Sequence, residues 1–363
     1  MNKYNKPNLT VDAVVLCGSG EETKLLVVER KNNPFKGKLA FPGGFINQYE
    51  TPYRAVLREL FEETSLNLEW KNNKASSVYA NAIALKVRGR EGRDPRGWTV
   101  SIPYLFHLTD VSTKQLKVKA ADDAKKAFWI KLTDLNELAF DHGAILCESL
   151  GYLWNWNWNS NSNSNKKELI FFGGTFSPWH QGHTSVIMSL PPRKRERVVV
   201  VPDKNPLKEP YKEMLNLDFV DDHFCAFKYY RYIKSQVSEE KIGVNLQVYP
   251  GFCGQEDSNP TSSWLPYINS QNNTKYSLSL LIGDDSFIDL KKWINPKAFL
   301  TKIKKIYVVP RLDDSKAIKK SMCWIKSINK NIVVQFMDHH QYQHISSTMI
   351  RDSIRDSIDG IST

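Results

Sequence analysis

Three glutamates stand at fixed spacing near residue 60. From Gly44 the sequence reads GFINQYETPYRAVLRELFEETSL, which places Glu59, Glu62 and Glu63 at positions i, i+3 and i+4. On a helix these side chains share one face, where three negative charges repel each other unless a cation joins them. Arg58, four residues before Glu62, is able to orient a carboxylate on this face. The spacing predicts a magnesium site, against the alternative of a solvated acidic helix face.

A second group of residues combines glycines with histidines. The segment GGTFSPWHQGH runs from Gly173 to His183 and follows the apolar stretch ELIFF. A glycine turn at the carboxyl end of a parallel strand lets backbone N–H groups approach a phosphate, and the next helix presents its positive N-terminus. His180 and His183 would then stabilise charge on a reacting phosphate. Alone, such a turn is more often structural, so the segments that follow it decide the interpretation.

Three later segments carry further residue types that suit a nucleotide. LIGDDSFIDLKKW places Asp285 after a strand and Trp293 eight residues later. Asp285 suits ribose hydroxyls and Trp293 suits a stacked ring. The alternative is a turn followed by a core tryptophan. HISSTMIRDSI combines a helix-capping hydroxyl cluster with Arg351 one turn along, which predicts an anion site. The cluster consists of Ser346, Ser347 and Thr348. VPDKNPLK adds Lys208, a cation able to close over phosphates.

A charged loop lies between the two groups. GREGRDPRGWTVSIPY, from Gly89, holds Arg93, Asp94 and Arg96 between glycines and a proline. Two guanidiniums in such a loop would bind a phosphate or stack on a base. An ordinary charged hairpin tip is the alternative.

Length and composition bound the class of protein. A chain of 363 residues is about twice the usual domain size, so two cores are expected. It has no run of about 18 apolar residues, and MNKYNKPNLT lacks the apolar core of a signal peptide, so we expect a cytoplasmic protein without a membrane partner. Five scattered cysteines without a CxxC pair favour reduced thiols. The net charge of +11 suits nucleic acid, anionic lipid or small phosphorylated ligands and does not choose among them.

The low-complexity segment WNWNWNSNSNSN predicts the domain boundary. Its Ser/Asn half cannot bury a core and is typical of a flexible tether, whereas its tryptophans are expected to pack on one neighbouring domain. The expected division is therefore 1–150, a linker at 151–166, and 167–363. Before the linker, five strand-like segments and an amphipathic helix over Thr51–Thr64 predict an α+β domain. After it, six short apolar strands alternate with helical segments, which predicts a doubly wound α/β domain with a parallel, Rossmann-like sheet.

The glutamate group resembles the Nudix box, G-x5-E-x7-R-E-U-x-E-E-x-G-U with U apolar. It departs from this pattern at Ser65, where the family has Gly. Because this position ends the helix, the serine costs some strain but removes no metal ligand. The resemblance implies that Mg²⁺ is held by Glu59, Glu62 and Glu63 with the backbone of Gly43 and Gly44. It implies that Glu50 and Arg58 support these ligands. It also implies that water hydrolyses a nucleoside diphosphate linked to another group.

Two further strings specify the branch of that family. GREGRDPRGWTVSIPY and AADDAKKAFWIKL are similar to the ADP-ribose pyrophosphatase branch. This resemblance implies ADP-ribose as the substrate and AMP with ribose 5-phosphate as products.

The second half is similar to the HxGH nucleotidyltransferases, and specifically to bacterial nicotinate or nicotinamide mononucleotide adenylyltransferases. The resemblance covers nearly all of residues 167–363. It implies that the acceptor's phosphate attacks the α-phosphorus of ATP and that pyrophosphate leaves. Residues implied to bind are Gly174, Thr175 and Phe176 in the nucleotide turn, His180 and His183 at the ATP phosphates, Asp285 and Trp293 at the acceptor, and Ser346, Ser347, Thr348 and Arg351 in the ATP pocket. Two positions depart from the family: Ser177 replaces the usual Asp or Asn, and Leu207 stands where a PPHK-like loop carries His.

Together these resemblances favour a bifunctional enzyme of NAD metabolism. Its expected partners are ATP, nicotinate or nicotinamide mononucleotide, ADP-ribose and Mg²⁺, with no nucleic acid. One alternative makes the Nudix-like half an ADP-ribose sensor without catalysis, and another changes the acceptor to phosphopantetheine or a polyol phosphate. The sequence leaves the choice between the two mononucleotides and the oligomeric state open.

Overall fold

The computed structural model describes most of the chain and divides it into two compact units. Described are residues 6–68, 82–108, 113–114, 116–120, 124–154, 167–176, 178–202, 226–244, 246–254, 261–262, 264–265, 276–346, 349–350 and 352–353. The first unit comprises Met1–Tyr152 with Asp222–Lys228, and the second comprises Leu153–Asp221 with Tyr229–Thr363. Most of the predicted linker lies outside the described residues. None of the described helices has the length and apolar character needed to span a bilayer.

A mixed sheet forms the centre of the N-terminal unit. Its strands are β1 (Asn8–Cys17), β2 (Lys24–Arg30), β3 (Leu39–Ala40), β4 (Gly43–Phe45), β5 (Ala82–Ala84), β6 (Thr99–Leu108) and β7 (Ala124–Lys131), and its helices are α1 (Pro52–Thr64) and α2 (His142–Leu153). The strand order is β3-β2-β1-β6-β5, with β4 paired to β1 and β7 paired to β2. Strands β1 and β6 run parallel, and the other pairs are antiparallel. The predicted α+β class is confirmed.

Helix α1 is the element that carries the glutamates. The Thr51 hydroxyl accepts a hydrogen bond from the Arg54 N–H, and proline begins the helix, as the start signals predict. Four residues of α1, Ala55, Val56, Leu60 and Thr64, are buried, and the three aliphatic ones pack near β1 and β6. Because Ala55 lies one turn before Glu59, the carboxylates stand at the border of this buried stripe, with the Glu59 side chain 14% exposed and the Glu62 side chain 40% exposed.

The residue that ends α1 has a strained backbone. Ser65 lies in the left-handed region, with φ of 57° and ψ of 14°, and its N–H donates to the Phe61 carbonyl at 2.8 Å. This geometry favours glycine, which has no Cβ. We expect Ser65→Gly to raise the free energy of unfolding by about 0.5–1 kcal/mol, because relief of strain exceeds the added entropy of the unfolded chain. Urea unfolding measures this free energy. Ser19→Gly is the control, because Ser19 has an extended backbone with φ of −145°. Equal effects of the two substitutions on the free energy of unfolding would refute the prediction.

The C-terminal unit is built on six parallel strands. They are β8 (Lys167–Gly174), β9 (Val198–Pro202), β10 (Gln247–Val248), β11 (Tyr276–Gly283), β12 (Ile303–Val309) and β13 (Val333–Phe336). The helices are α3 (Gln181–Met188), α4 (Pro192–Arg195), α5 (Ala226–Gln236), α6 (Glu239–Ile242), α7 (Asp284–Asp289), α8 (Pro296–Leu300) and α9 (Ser315–Ile328). Every described pairing in this sheet is parallel, which confirms the predicted class.

The strand order determines where ligands can reach this sheet. The order is β10-β9-β8-β11-β12-β13, so the chain moves outward from β8 in one direction and then returns to build outward from β11 in the other. In such sheets the crevice at the carboxyl ends of the two central strands is the usual ligand site. Strand β8 ends at Gly174 and β11 ends at Gly283, so both sequence motifs begin at this crevice.

The segment that joins the two units is described only at its start. Residues 151–153 continue helix α2, and the Trp154 ring packs on Tyr249 with centroids 5.2 Å apart. Trp156 and Trp158 lie outside the described residues, so their predicted packing stays a prediction.

Candidate functional sites

The glutamates of α1 line a cavity of about 320 Å³ in the N-terminal unit. Glu59, Glu62 and Glu63 form part of its wall, and Gly43 and Gly44 of strand β4 form another part. The helix therefore brings the predicted carboxylates together with the predicted glycine backbone.

Arg58 links the carboxylates to one another. Its guanidinium donates to Glu50 at 2.8 and 2.9 Å, to Glu59 at 2.8 Å and to Glu62 at 2.8 Å, and also to the Phe45 carbonyl at 2.9 Å. These contacts raise the pKa of Arg58, that with Glu50 most, and hold the guanidinium charged. Its place among the glutamates is that of a residue that orients them.

Two glycines of strand β4 lie close to the glutamates and to strand β1. The Gly43 N–H donates to Glu63 Oε2 at 3.0 Å. A Cβ at Gly43 would lie 2.2 Å from the Val11 carbonyl oxygen of β1, and a Cβ at Gly44 would lie 2.6 Å from the Glu59 carboxylate. Glycine is required at Gly43 because the contact is with backbone, whereas a larger residue at Gly44 would displace the Glu59 carboxylate.

The donor set of this cavity suits a hard divalent cation. Burial, and after it the neighbouring Glu62 and Glu50, raise the pKa of Glu59 despite its hydrogen bond from Arg58. Carboxylate and carbonyl oxygens are the ligands that Mg²⁺ and Mn²⁺ prefer. Across the part of the chain that the structure describes, however, no three His, Cys, Asp or Glu side chains converge on a point where one ion could be held. Glu59 and Glu62 would have to leave Arg58 to do so.

Only one residue of the charged loop reaches the cavity. Arg96 lines it and lies over the Phe45 ring, 5.5 Å from the centroid. Arg93, predicted to face a ligand, is instead buried and binds both oxygens of Asp141 at 2.7 and 3.0 Å. Asp94 is also buried and accepts four hydrogen bonds from the main-chain N–H and the guanidinium of Arg96, at 2.7, 2.9, 3.0 and 3.2 Å. A buried guanidinium needs a carboxylate partner, and Asp141 provides it.

Arg30 is a cavity residue that sequence reasoning missed. It ends strand β2, lines the cavity, and lies 4.7 Å from the centroid of the Phe140 ring. Burial first, and then repulsion from the nearby Arg96, lower its pKa. Two arginines placed together at the mouth of an acidic cavity suit the oxygens of a diphosphate. An arginine directly after an apolar strand was the available signal.

In the C-terminal unit, the glycine turn follows strand β8. Phe176 has φ of 50°, and its ring packs on Trp179 and His183 with centroids 5.1 and 5.0 Å away. A Cβ at Gly174 would lie 3.0 Å from the Phe176 ring. The Thr175 carbonyl accepts a hydrogen bond from a tyrosine hydroxyl of α5. The turn is thus fixed by aromatic packing beneath it.

The two histidines begin helix α3. His180 Nδ1 accepts a hydrogen bond from the Gly182 N–H at 3.1 Å, and His183 Nδ1 accepts one from the His180 N–H at 3.2 Å. The rings stack with centroids 3.8 Å apart. Because His180 Nδ1 is an acceptor, the proton of its neutral ring is on Nε2. That atom is buried and has no hydrogen-bond partner among the described residues.

The His180 ring is therefore a donor without an acceptor, beside a cavity of about 660 Å³ that it lines together with Ile345 and Met349. Buried polar atoms are nearly always paired in folded proteins, so an unpaired N–H in a crevice indicates a ligand. An anionic phosphate oxygen fits this donor.

The protonation of His180 can be measured directly. Burial, and after it the nearby Arg311, lower the pKa of His180 from 6.5 to about 4. The unfolded chain then binds the proton more readily, so this group's contribution to stability is present above pH 6.5 and is lost as the pH falls toward 4. In a ¹H–¹³C NMR titration, we expect the His180 ring resonance, assigned with His180→Asn, to have its midpoint near pH 4. Bound pyrophosphate should move this midpoint to higher pH. A midpoint near 6.5 in the free protein would be inconsistent with this burial.

The turn after strand β11 joins several parts of the same crevice. Asp285 accepts from the Arg311 guanidinium at 3.1 Å, and Arg311 also donates to the Ile345 carbonyl at 3.2 Å. Asp284 is buried and accepts from the Leu312 N–H at 3.0 Å, which fixes the loop after β12. Arg311 was missed by sequence reasoning, although an arginine directly after the apolar strand KIYVVP was a signal for it.

The remaining predicted residues are placed differently or not described. Trp293 is half-buried and its ring lies against Phe299, with centroids 5.9 Å apart, at the edge of the core, which is the structural alternative considered for it. The Ser346 hydroxyl accepts from the Met349 N–H at 3.1 Å, as a cap does. Residues outside the described part are Ser177, Leu207, Lys208, Ser347, Thr348 and Arg351.

Each unit thus presents a site for phosphorylated ligands, and together they define a two-domain protein that handles nucleotides. Residues 171–353 match the cytidylyltransferase-like family, and residues 6–148 match the NUDIX domain. The chain belongs to the cytidylyltransferase-like family, with a Nudix domain preceding that domain. The predicted combination of Nudix hydrolase and nucleotidyltransferase families, with its link to NAD metabolism, is confirmed.

Similar proteins cover one or the other half. An ADP-ribose pyrophosphatase of Methanocaldococcus jannaschii is 40% identical over 39% of this chain and 73% of its own length. An ADPR-responsive transcriptional repressor, NtrR, of Acinetobacter baylyi is 28% identical over 42% of this chain and 56% of its own. A probable nicotinate-nucleotide adenylyltransferase of Fusobacterium nucleatum is 26% identical over 53% of this chain and 90% of its own length.

Among solved structures, the chain is similar to a bifunctional NMN adenylyltransferase/ADP ribose pyrophosphatase from Francisella tularensis complexed with AMP and Mn ion. The two are 32% identical, with a TM-score of 0.34, and the match covers 42% of this chain and 43% of that one.

Proposed function

We propose that this chain is a bifunctional enzyme that adenylylates a pyridine mononucleotide in its C-terminal domain and hydrolyses ADP-ribose in its N-terminal domain. ADP-ribose is what remains when NAD loses nicotinamide, so both sites would recognise an adenylate diphosphate joined to a ribose. The observation that supports the transferase is the unpaired His180 Nε2–H at the start of α3, the helix that follows β8, beside the cavity that His180 lines. The observation that supports the hydrolase is the placement of three glutamates and two glycines on one cavity.

In the transferase, a phosphate oxygen of the mononucleotide attacks the α-phosphorus of ATP, and the bond to pyrophosphate breaks. His180 donates from Nε2 to the phosphates, and the N–H groups at the start of α3 add positive potential. Asp285, which accepts a hydrogen bond from Arg311, would also accept from ribose hydroxyls of the mononucleotide. Catalysis consists mainly of alignment and of stabilising charge on the phosphates.

In the hydrolase, water attacks one phosphorus of the ADP-ribose diphosphate, and AMP and ribose 5-phosphate leave. Glu59, Glu62 and Glu63 would hold Mg²⁺ or Mn²⁺, and such a cation would neutralise the diphosphate and lower the pKa of the attacking water. Arg30 and Arg96, which line the same cavity, would bind the diphosphate oxygens. Arg58 and Glu50 keep the glutamates in position until the cation is bound.

Two incubations test the proposal. The purified chain with ADP-ribose and Mg²⁺ should release AMP, and EDTA should stop the release reversibly. With ATP and either nicotinate or nicotinamide mononucleotide it should form a dinucleotide and pyrophosphate. If neither mononucleotide reacts, the acceptor assignment is wrong.

A second candidate keeps the transferase and makes the Nudix domain a sensor that binds ADP-ribose without hydrolysing it. The similarity to an ADP-ribose-responsive repressor favours this candidate. The three glutamates at the cavity oppose it, because a sensor has no need of metal ligands. Calorimetric binding of ADP-ribose without release of AMP would identify the sensor.

A further inference from the structure

A buried polar cluster lies behind the Nudix cavity. It consists of Asp12, Arg93, Ser101, Asp141 and His142, all buried, and none of them lines the cavity. Their residues come from β1, the charged loop, β6 and the start of α2, so only the folded chain brings them together.

Asp12 is the centre of the cluster. It accepts a hydrogen bond from the Ser101 hydroxyl, lies 3.3 Å from His142 Nε2, and lies 3.9 Å from the Arg93 guanidinium. Burial alone would raise the pKa of Asp12, but His142, Arg93 and Ser101 outweigh it and lower the pKa to about 2. The carboxylate therefore stays charged, and its donors are fixed around it.

His142 connects this cluster to the strand of the metal site. Its Nδ1 accepts from the Phe41 N–H at 2.9 Å, so Nε2 carries the proton and faces Asp12. The ring also stacks on Phe41, with centroids 4.4 Å apart and planes within 4°. One imidazole thus holds both the β1 carboxylate and the backbone two residues before Gly43.

The same backbone places the groups that contact the glutamates. Asp12 lies opposite Gly43 in the pairing of β1 with β4, and the Gly43 N–H donates to Glu63. We propose that His142 and Asp12 are positioning residues of the Nudix site, which hold the Phe41–Gly44 backbone at the distance that the glutamates require. This inference rests on the proposed hydrolase function and gives the charged loop a role, because Arg93 secures Asp141 and Asp12 instead of meeting substrate.

The test compares His142 with a matched ion pair on the same helix. His142→Asn keeps an acceptor for the Phe41 N–H but not the donor to Asp12, and His142→Gln does the reverse. Glu148→Gln is the control, because Glu148 is also buried on α2 but pairs with Arg88, at 2.5 Å, and not with β4.

The first measurement is the ¹H–¹⁵N shift of Gly43 and Gly44 in the full-length, metal-free protein, which needs no enzymatic activity. We expect both amide signals to move in either His142 variant and to stay in place in Glu148→Gln. The second measurement is Mn²⁺ affinity, which should fall about 10- to 100-fold in the His142 variants, as for other residues that orient metal ligands. The kcat for ADP-ribose should fall with it, and KM should change less.

Unmoved glycine amides in both His142 variants, or equal movement in Glu148→Gln, would overturn the inference whatever the activity. Moved amides in a wild-type protein that releases no AMP would instead reject the hydrolase function and leave the positioning role standing.

Discussion

Glu63→Gln should lower kcat for ADP-ribose hydrolysis about 100- to 1000-fold and leave adenylyl transfer unchanged. The glutamine oxygen can still accept from the Gly43 N–H, so the strand and helix keep their contact. The substitution removes one negative charge from the cavity and so weakens the binding of the cation. The expected loss is large because a metal ion's contribution to the transition state is worth several kcal/mol. Rates of AMP release and of dinucleotide formation, measured on the same preparation, check both parts.

The matched control is Glu29→Gln. Glu29 belongs to the same unit and forms an ion pair with Lys125 at 2.8 Å, and unlike its neighbours Val28 and Arg30 it does not line the cavity. Its replacement should change hydrolysis by less than about twofold, because surface pairs contribute little. Equal losses in the two variants would show that Glu63 acts on folding rather than on the reaction.

His180→Asn should lower kcat for adenylyl transfer about 100- to 1000-fold and leave ADP-ribose hydrolysis unchanged. The asparagine oxygen can replace Nδ1 as the acceptor for the Gly182 N–H, so the start of α3 is retained. The Nε2 donor is removed, and the loss of one such donor to a developing charge has this magnitude in other enzymes. Initial rates of pyrophosphate release measure the effect.

His339→Asn is the control for this experiment. His339 is exposed and contacts Gln343 at 2.9 Å, in the same unit. Its replacement should leave both rates within about twofold, as for most surface substitutions. Full transfer activity in His180→Asn would exclude the role proposed for the unpaired ring nitrogen.

Local patterns in the sequence were sufficient to predict the elements that carry the glutamates and histidines. The i, i+3 and i+4 spacing of three glutamates and the apolar stripe beside them both follow from helix geometry, and α1 spans Pro52–Thr64 against a predicted Thr51–Thr64. Strand and helix alternation likewise predicted the parallel sheet, because a parallel connection needs a crossover. At VNLQVYP the strand spans Gln247–Val248, and the Tyr249 N–H also donates to the Val200 carbonyl of β9 at 2.8 Å.

The arginines could not be placed from local patterns. Arg93 is paired with Asp141, 48 residues away, and Arg311 with Asp285, 26 residues away. Such pairings depend on which strand ends lie side by side, and a loop sequence does not contain that information. The charged loop predicts ligand-facing arginines, whereas the fold buries Arg93. Arg30 and Arg311, at the ends of strands, are not part of that prediction.

The most direct test of two independent sites on one chain is a single ³¹P NMR time course. The sample contains the purified protein with Mg²⁺, ATP, both mononucleotides and ADP-ribose. We expect pyrophosphate and a dinucleotide to appear as ATP declines, together with AMP and ribose 5-phosphate as ADP-ribose declines. Persistence of ADP-ribose, or absence of any dinucleotide, in a folded preparation would contradict a bifunctional enzyme.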